Sequence, residues 1–218
     1  MNNLEKLKQL KNLYLLKSLG FQYEDMPKIA KKREFALEND LDKLKQSVMK
    51  CSLCELSKYR KNIVFGEGNR DAKIMFIGEG PGAVEDEIGK PFVGRAGQLL
   101  TDMIHNVLGI KREEVYIANI VKCRPPNNRV PTESEAECCM PYLLKQMEIV
   151  NPTLVVALGA TAYRYLTHDK TPISQVRGEI LKLKDYTLIP TYHPSFLLRN
   201  PSAKKEAYLD LLKIKRFL

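Results

Sequence analysis
The chain has 218 residues, 44% hydrophobic and 28% charged, ordinary globular usage that excludes a disordered tail, a collagen-like chain and a coiled-coil rod. Lys and Arg number 35 against 26 Asp and Glu, a formal charge of +9, which favours a polyanionic partner, nucleic acid first, over an acidic protein surface. The length suits one α/β domain with an appended arm and is short for two enzymatic domains.

In chain order, Leu4, Leu7, Leu10, Leu13, Leu16 and Leu19 recur every third position with lysines between them, an amphipathic helix that ends at Gly20. The interrupting lysines leave neither a signal-peptide h-region nor a membrane span, so a cytoplasmic protein without membrane contact is expected. The polar stretch after Gly20, with Pro27 and the cluster Lys31-Lys32-Arg33, reads as a linker. A second helical pattern runs from about Leu41 to Met49. Residues 1–45 are therefore expected to form a basic helical arm and 46–218 the functional domain.

From residue 73 the pattern alternates short apolar runs with turn residues and helical periodicity, as in a parallel sheet covered by helices. Strands are expected at 73–78, 115–121, 153–159 and 187–192, and helices at 96–107, 132–149, 160–167 and 203–217. Residues 176–184 suggest a small hairpin or edge strand. Thr132 followed by Glu135 is a capping box. The expected architecture is a three-layer α/β/α sandwich with a central four-stranded, mainly parallel sheet. Ligands of such sheets bind at the carboxyl ends of the strands, so the segments after each strand are where chemistry should lie.

The cysteines are Cys51, Cys54, Cys123, Cys138 and Cys139. An odd count in a reducing compartment argues for metal ligands or buried thiols over a disulfide framework. Cys51-x-x-Cys54 joined by two later thiols can hold zinc or an iron-sulfur cluster, and spacing alone leaves both open.

Five segments carry a family resemblance: Gly78-Glu79-Gly80-Pro81-Gly82, Gly89 to Leu100 (GKPFVGRAGQLL), Asn119 to Pro126 (NIVKCRPP), Ala157 to Ala162 (ALGATA) and His193-Pro194-Ser195. In this order and spacing the chain resembles the family 4, iron-sulfur uracil-DNA glycosylases over roughly residues 46–217. The resemblance implies a 4Fe-4S cluster on Cys51, Cys54, Cys123 and Cys139, with Cys138 the odd thiol. It implies a monofunctional glycosylase that removes uracil from single- and double-stranded DNA, expected as a monomer. Phe92 is then the platform for the base, Asn119 the reader of its O4 and N3–H edge, and His193 the partner of O2. Glu79 is implied as the residue that orients water or stabilises the oxocarbenium. Another branch of the superfamily carries aspartate at the position of Gly80, which here only lines the base site. Glu85 is placed at the C5 edge, where it would help reject thymine.

The segment after His193 reads Phe196-Leu197-Leu198-Arg199, two leucines expected to be exposed. Leu197 is expected to wedge into the gap left by the base, with Arg199 on a phosphate. Lys122, Arg124, Arg129 and Arg95 are expected to add phosphate contacts. Two other classes compete. A uracil-DNA binding protein that traps its product covalently would need a basic, histidine-bearing insertion, which the stretch between Leu100 and Val115 lacks. A nucleotide-binding α/β module would use the GEGPG turn as a phosphate cradle, but the turn lacks the usual glycine spacings and places an acid where phosphate would sit.

Overall fold
A computed structural model describes residues 37–218. The leucine-patterned segment 1–20 and the cluster Lys31-Lys32-Arg33 lie outside the described residues. Four apolar runs, each too hydrophobic to face water on either side, form the parallel centre of one sheet. They are β2 (Ile74–Gly78), β3 (Tyr116–Asn119), β4 (Leu154–Leu158) and β6 (Thr187–Thr191). Phe76 pairs with Ile117 on one side and Val156 on the other, and Val156 with Ile189.

The sheet has six strands in the order β1-β3-β2-β4-β6-β5, where four are expected. The additional strands, β1 (Glu67–Gly68) and β5 (Leu181–Lys182), pair antiparallel at the two edges. Two residues carry no readable alternation, which is why β1 was not anticipated. The expected hairpin or edge strand at 176–184 is realised as β5 after a short helix.

The helices in chain order are α1 (Leu41–Met49), α2 (Ala83–Ile88), α3 (Arg95–Met103), α4 (Glu133–Val150), α5 (Ala160–Thr167), α6 (Ile173–Val176), α7 (Pro194–Arg199) and α8 (Lys204–Lys215). α3 runs on as a π-helical turn, Ile104–Leu108. Two apolar layers flank the sheet. On one face Leu44, Leu143, Met147 and Ala162 pack with Met75 and Val155; on the other Leu100, Ile104, Leu197 and Leu211 pack with Phe76 and Val156. Successive residues of β2 and β4 thus feed opposite layers, as the period of two requires.

α1 crosses the expected arm boundary at residue 45. Its Leu44 is 0% exposed within the first layer, and Asp40 caps its N-terminus by accepting from the amides of Asp42 and Lys43 at 3.0 and 2.9 Å. Residues 41–45 therefore pack as part of the domain. α2 and α7 occupy stretches read only as strand-end segments, because six-residue helices offer under two turns of periodicity. Among the described residues no helix is long and apolar enough to cross a membrane.

Strand order places β3 on one side of β2 and β4 and β6 on the other. The chain reverses its direction of progress beside β2, and the crevice at the carboxyl ends opens there.

Candidate active site
A pocket of about 520 Å³ occupies this crevice, within the range of small-ligand sites. Every central strand contributes to it. Glu79 and Gly80 follow β2, Asn119 ends β3, Gly159 and Thr161 follow β4, and His193 follows β6. Phe92 and Glu85 reach in from the loop between α2 and α3 and from α2 itself.

Phe92 is held in an unusual place. Its φ is 50°, in the left-handed region that costs a bulky residue on the order of 1–3 kcal/mol. Glu85 Oε1 accepts from the amides of Val93 and Gly94 at 3.0 and 2.8 Å, and the Arg112 guanidinium donates to the Pro91 carbonyl at 2.6 Å. The ring centroid lies 5.6 Å from that of His193. Gly78 makes the approach feasible, since a Cβ there would stand 2.5 Å from Asn119 Oδ1 and 2.6 Å from Phe92 Cζ. Glu85 is therefore no solvated first-turn glutamate: its carboxylate fixes the loop that carries Phe92.

Asn119 is 2% exposed, and its Oδ1 has no hydrogen-bond partner. A buried acceptor left unpaired costs about 1–3 kcal/mol, so an N–H or O–H offered to it by a ligand in the pocket that Asn119 lines would be favoured. Lys122 Nζ donates to the Asn119 carbonyl at 2.9 Å and fixes the strand end.

His193 Nδ1 accepts from the Ser195 amide at 3.1 Å and lies 2.7 Å from Ser195 Oγ. With Nδ1 accepting, the proton of a neutral ring sits on Nε2. Burial, aided by the nearby Arg199 charge, pushes the imidazole down to about 4, so the ring is neutral at physiological pH.

Thr161 Oγ1 donates to Glu79 Oε2 at 2.5 Å, a contact the sequence did not single out although the motif containing Thr161 was noted. Gly80 has little space: a Cβ would meet Val121 Cγ2 at 2.7 Å. An acidic side chain at this position would collide with the wall of the strand end.

Two expected DNA contacts fall elsewhere, and a third lines the pocket but is already paired. Leu197 is 1% exposed and packs in the second apolar layer, because α7 turns it inward; it is not presented to a partner. Lys122 is 1% exposed and committed to Asn119, so it cannot reach a phosphate. Arg129 is paired through both terminal nitrogens with Glu135, at 2.8 and 2.7 Å. Arg95 and Arg199 are exposed, and half-buried Arg124 donates to Asn128 Oδ1 at 2.7 Å. Val130 and Phe196, like Thr161 not among the expected site residues, also line the pocket.

All five cysteines line a second, narrow pocket between α1, the 51–60 segment, the β3 exit and α4. The Lys122 amide donates to Cys139 Sγ at 3.3 Å and Arg60 Nη1 to Cys123 Sγ at 3.2 Å. Burial pushes the Cys139 thiol up to about 12 and raises Cys54 and Cys123, with the Lys122 and Arg60 cations opposing it at Cys139 and Cys123. Among the described residues no three His, Cys, Asp or Glu side chains close on one metal ion. The five thiols share this one pocket, a soft donor set that zinc or an iron-sulfur cluster could use. A third hollow, of about 460 Å³ beside α1 and β1, has two of its cations already paired, Arg70 with Asp42 and Lys90 with Glu67.

Residues 65–213 match the family model described as the uracil DNA glycosylase superfamily. The chain is 48% identical over 188 residues to a type-4 uracil-DNA glycosylase of Thermotoga maritima, covering 84% of this chain and 97% of that protein. It is 46% identical to a type-4 uracil-DNA glycosylase of Saccharolobus solfataricus, over 83% and 87% of the two chains. With one from Archaeoglobus fulgidus it shares 42% identity, over 80% and 91%.

Proposed function
The chain belongs to the uracil DNA glycosylase superfamily, and we propose that it is a type-4 enzyme that hydrolyses the N-glycosidic bond of uracil in DNA and leaves an abasic site. The observation that carries this reading is the unpaired, buried Asn119 Oδ1 beside Phe92 and His193. Uracil has an N3–H to give that oxygen and an O4 to accept from the Asn119 amide. Cytosine presents the reverse pattern.

The glycosidic bond is shielded inside a stacked duplex, so the nucleotide must be extruded into the pocket. The base stacks on Phe92, worth about 1–3 kcal/mol for a base on an aromatic face. As the bond breaks, negative charge grows on uracil O2 and positive charge on the sugar. The neutral His193 donates from Nε2 toward O2, a preorganised donor whose ring is set by Ser195. Glu79, held on one oxygen by Thr161, has its other oxygen left to orient the attacking water and face the positive sugar. Glu85 sits at the C5 edge, where a thymine methyl would meet a carboxylate already committed to two amides. Arg199, Arg124 and Arg95 meet backbone phosphates.

We assign a 4Fe-4S cluster to Cys51, Cys54, Cys123 and Cys139, with Cys138 as bystander. When bound it supplies a covalent tie between the segment before the sheet, the β3 exit and α4. The donor set supports this, as does the N–H donation to Cys139 and Cys123. We read the protein as a monomer of the cytoplasm, where an odd cysteine count with a Cys-x-x-Cys pair suits a reducing compartment.

Incubation with a labelled uracil-containing oligonucleotide followed by alkali tests the reading. Strand cleavage at the uracil is expected only after alkali, and Asn119→Ala should lower the single-turnover rate on the order of a hundredfold. Absence of alkali-dependent cleavage by the wild-type protein would overturn the assignment.

A further inference from the structure
The loop from β3 to α4 is built to be stiff. It reads Pro125-Pro126-Asn127-Asn128-Arg129-Val130-Pro131, so three of its residues have φ fixed by a ring. Asn127 and Asn128 both adopt φ 54°, in the left-handed region that asparagine tolerates best after glycine but normally enters as a single residue. Side chains lock the turn. Arg124 Nε donates to Asn128 Oδ1 at 2.7 Å, and Arg129 both pairs with Glu135 and donates to the Val130 carbonyl at 3.1 Å. Consecutive strained residues persist only where their surroundings over-determine them, and they gather at functional sites.

What this loop holds up is Val130, 60% exposed on the rim of the uracil pocket. Phe196 and Arg199 of α7 line the same pocket. A lone exposed valine is ordinary on a protein surface. Here it is carried by a strained, multiply anchored loop at the mouth of a base-binding site, and packing does not account for that. Leu197, the residue expected to enter the duplex, is buried.

We propose that the 125–131 loop is a DNA-contacting element in addition to α7, and that Val130 is an apolar wedge entering the duplex beside the extruded nucleotide. The inference rests on the glycosylase reading above. Extrusion leaves neighbouring bases with uncovered apolar faces, and proteins that unstack DNA fill such gaps with aliphatic or aromatic side chains. A branched aliphatic side chain on a rigid loop loses little conformational entropy when it does so. A single strand has no opposing stack to hold open, so the wedge acts on duplex substrate.

The test compares single-turnover excision from a uracil-containing duplex with excision from the same strand unpaired, for wild type, Val130→Ser and Val130→Leu. The ratio of duplex to single-strand rates should fall at least about fivefold in Val130→Ser and stay within about twofold of wild type in Val130→Leu. A Val130→Ser ratio within about twofold of wild type, or an equal fall in both variants, overturns the wedge while leaving the glycosylase reading intact. Failure of the wild type to release uracil from either substrate overturns both. Val130 is exposed, so matching thermal melts of the variants should accompany the comparison.

Discussion

Thr161 and Glu79 meet across 2.5 Å, and the direction of that bond sets what each can do. The hydroxyl donates, so one carboxylate oxygen is held and the other keeps its lone pairs for water. Thr161 touches no reacting atom in this arrangement; it is a positioning residue. Thr161→Ala should lower kcat about tenfold or more, as expected for losing a hydrogen bond to a charged group, with KM nearly unchanged, and Thr161→Ser should restore most of the rate. A fall in KM-dependent binding without a kcat effect in single-turnover and steady-state assays would contradict it. Phe92, Asn119 and His193 were placed by the family resemblance, since taken singly a Phe in a loop reads as core packing and an Asn at a strand end as a turn residue; the structure brings the three to one pocket. Thr161 was not placed, since a threonine at the start of a helix has no signal until the tertiary fold sets a carboxylate opposite it. Leu197 failed for the same reason in reverse: two adjacent leucines do not say which one α7 turns inward.

At the scale of elements, α4 is the clearest success of sequence reading and also shows its limit. The capping box is present, with Glu135 accepting from the Thr132 amide at 2.8 Å and Thr132 Oγ1 from the Glu135 amide at 3.3 Å. Four letters encode it because its geometry is local. The same Glu135 also takes Arg129, and that pairing, first among the causes, lowers its carboxyl from 4.5 to about 2. The sign follows directly. Because the folded carboxyl is the stronger acid, its stabilisation is complete above about pH 4.5 and is lost as pH falls toward about 2. Glu135→Gln should therefore destabilise the protein at pH 7, and the difference from wild type in urea midpoint should shrink steadily between those two values. A difference that stays constant over that interval would refute the pairing as its source. The short elements α2, α7 and β1 escaped because periodicity needs more residues than they have.

For the whole molecule, the thiol pocket and the uracil pocket share one piece of chain. β3 ends at Asn119, Lys122 ties its ammonium back to the Asn119 carbonyl, and Cys123 follows. The corner proposed to hold the cluster and the strand end proposed to read the base are thus joined by three residues. Purified protein is expected to be brown, with iron and acid-labile sulfide in equal amounts, and Cys123→Ser should lower both metal content and thermal stability. Stoichiometric zinc without iron would overturn the assignment. The net charge of +9 still favours a polyanionic partner, although Lys122 is buried inside the protein and the exposed Arg129 is already paired with Glu135. The amino-acid sequence alone determined the α/β class, the central strands, the capping box, the cysteine set and the strand-end motifs, because each is written in local composition or short spacing. Only the tertiary structure decided which rim residue faces solvent, which arginine is already paired, and that Asn119 keeps an unsatisfied oxygen. Those outcomes depend on what packs against each side chain from segments far away in the chain, and no local pattern carries that information.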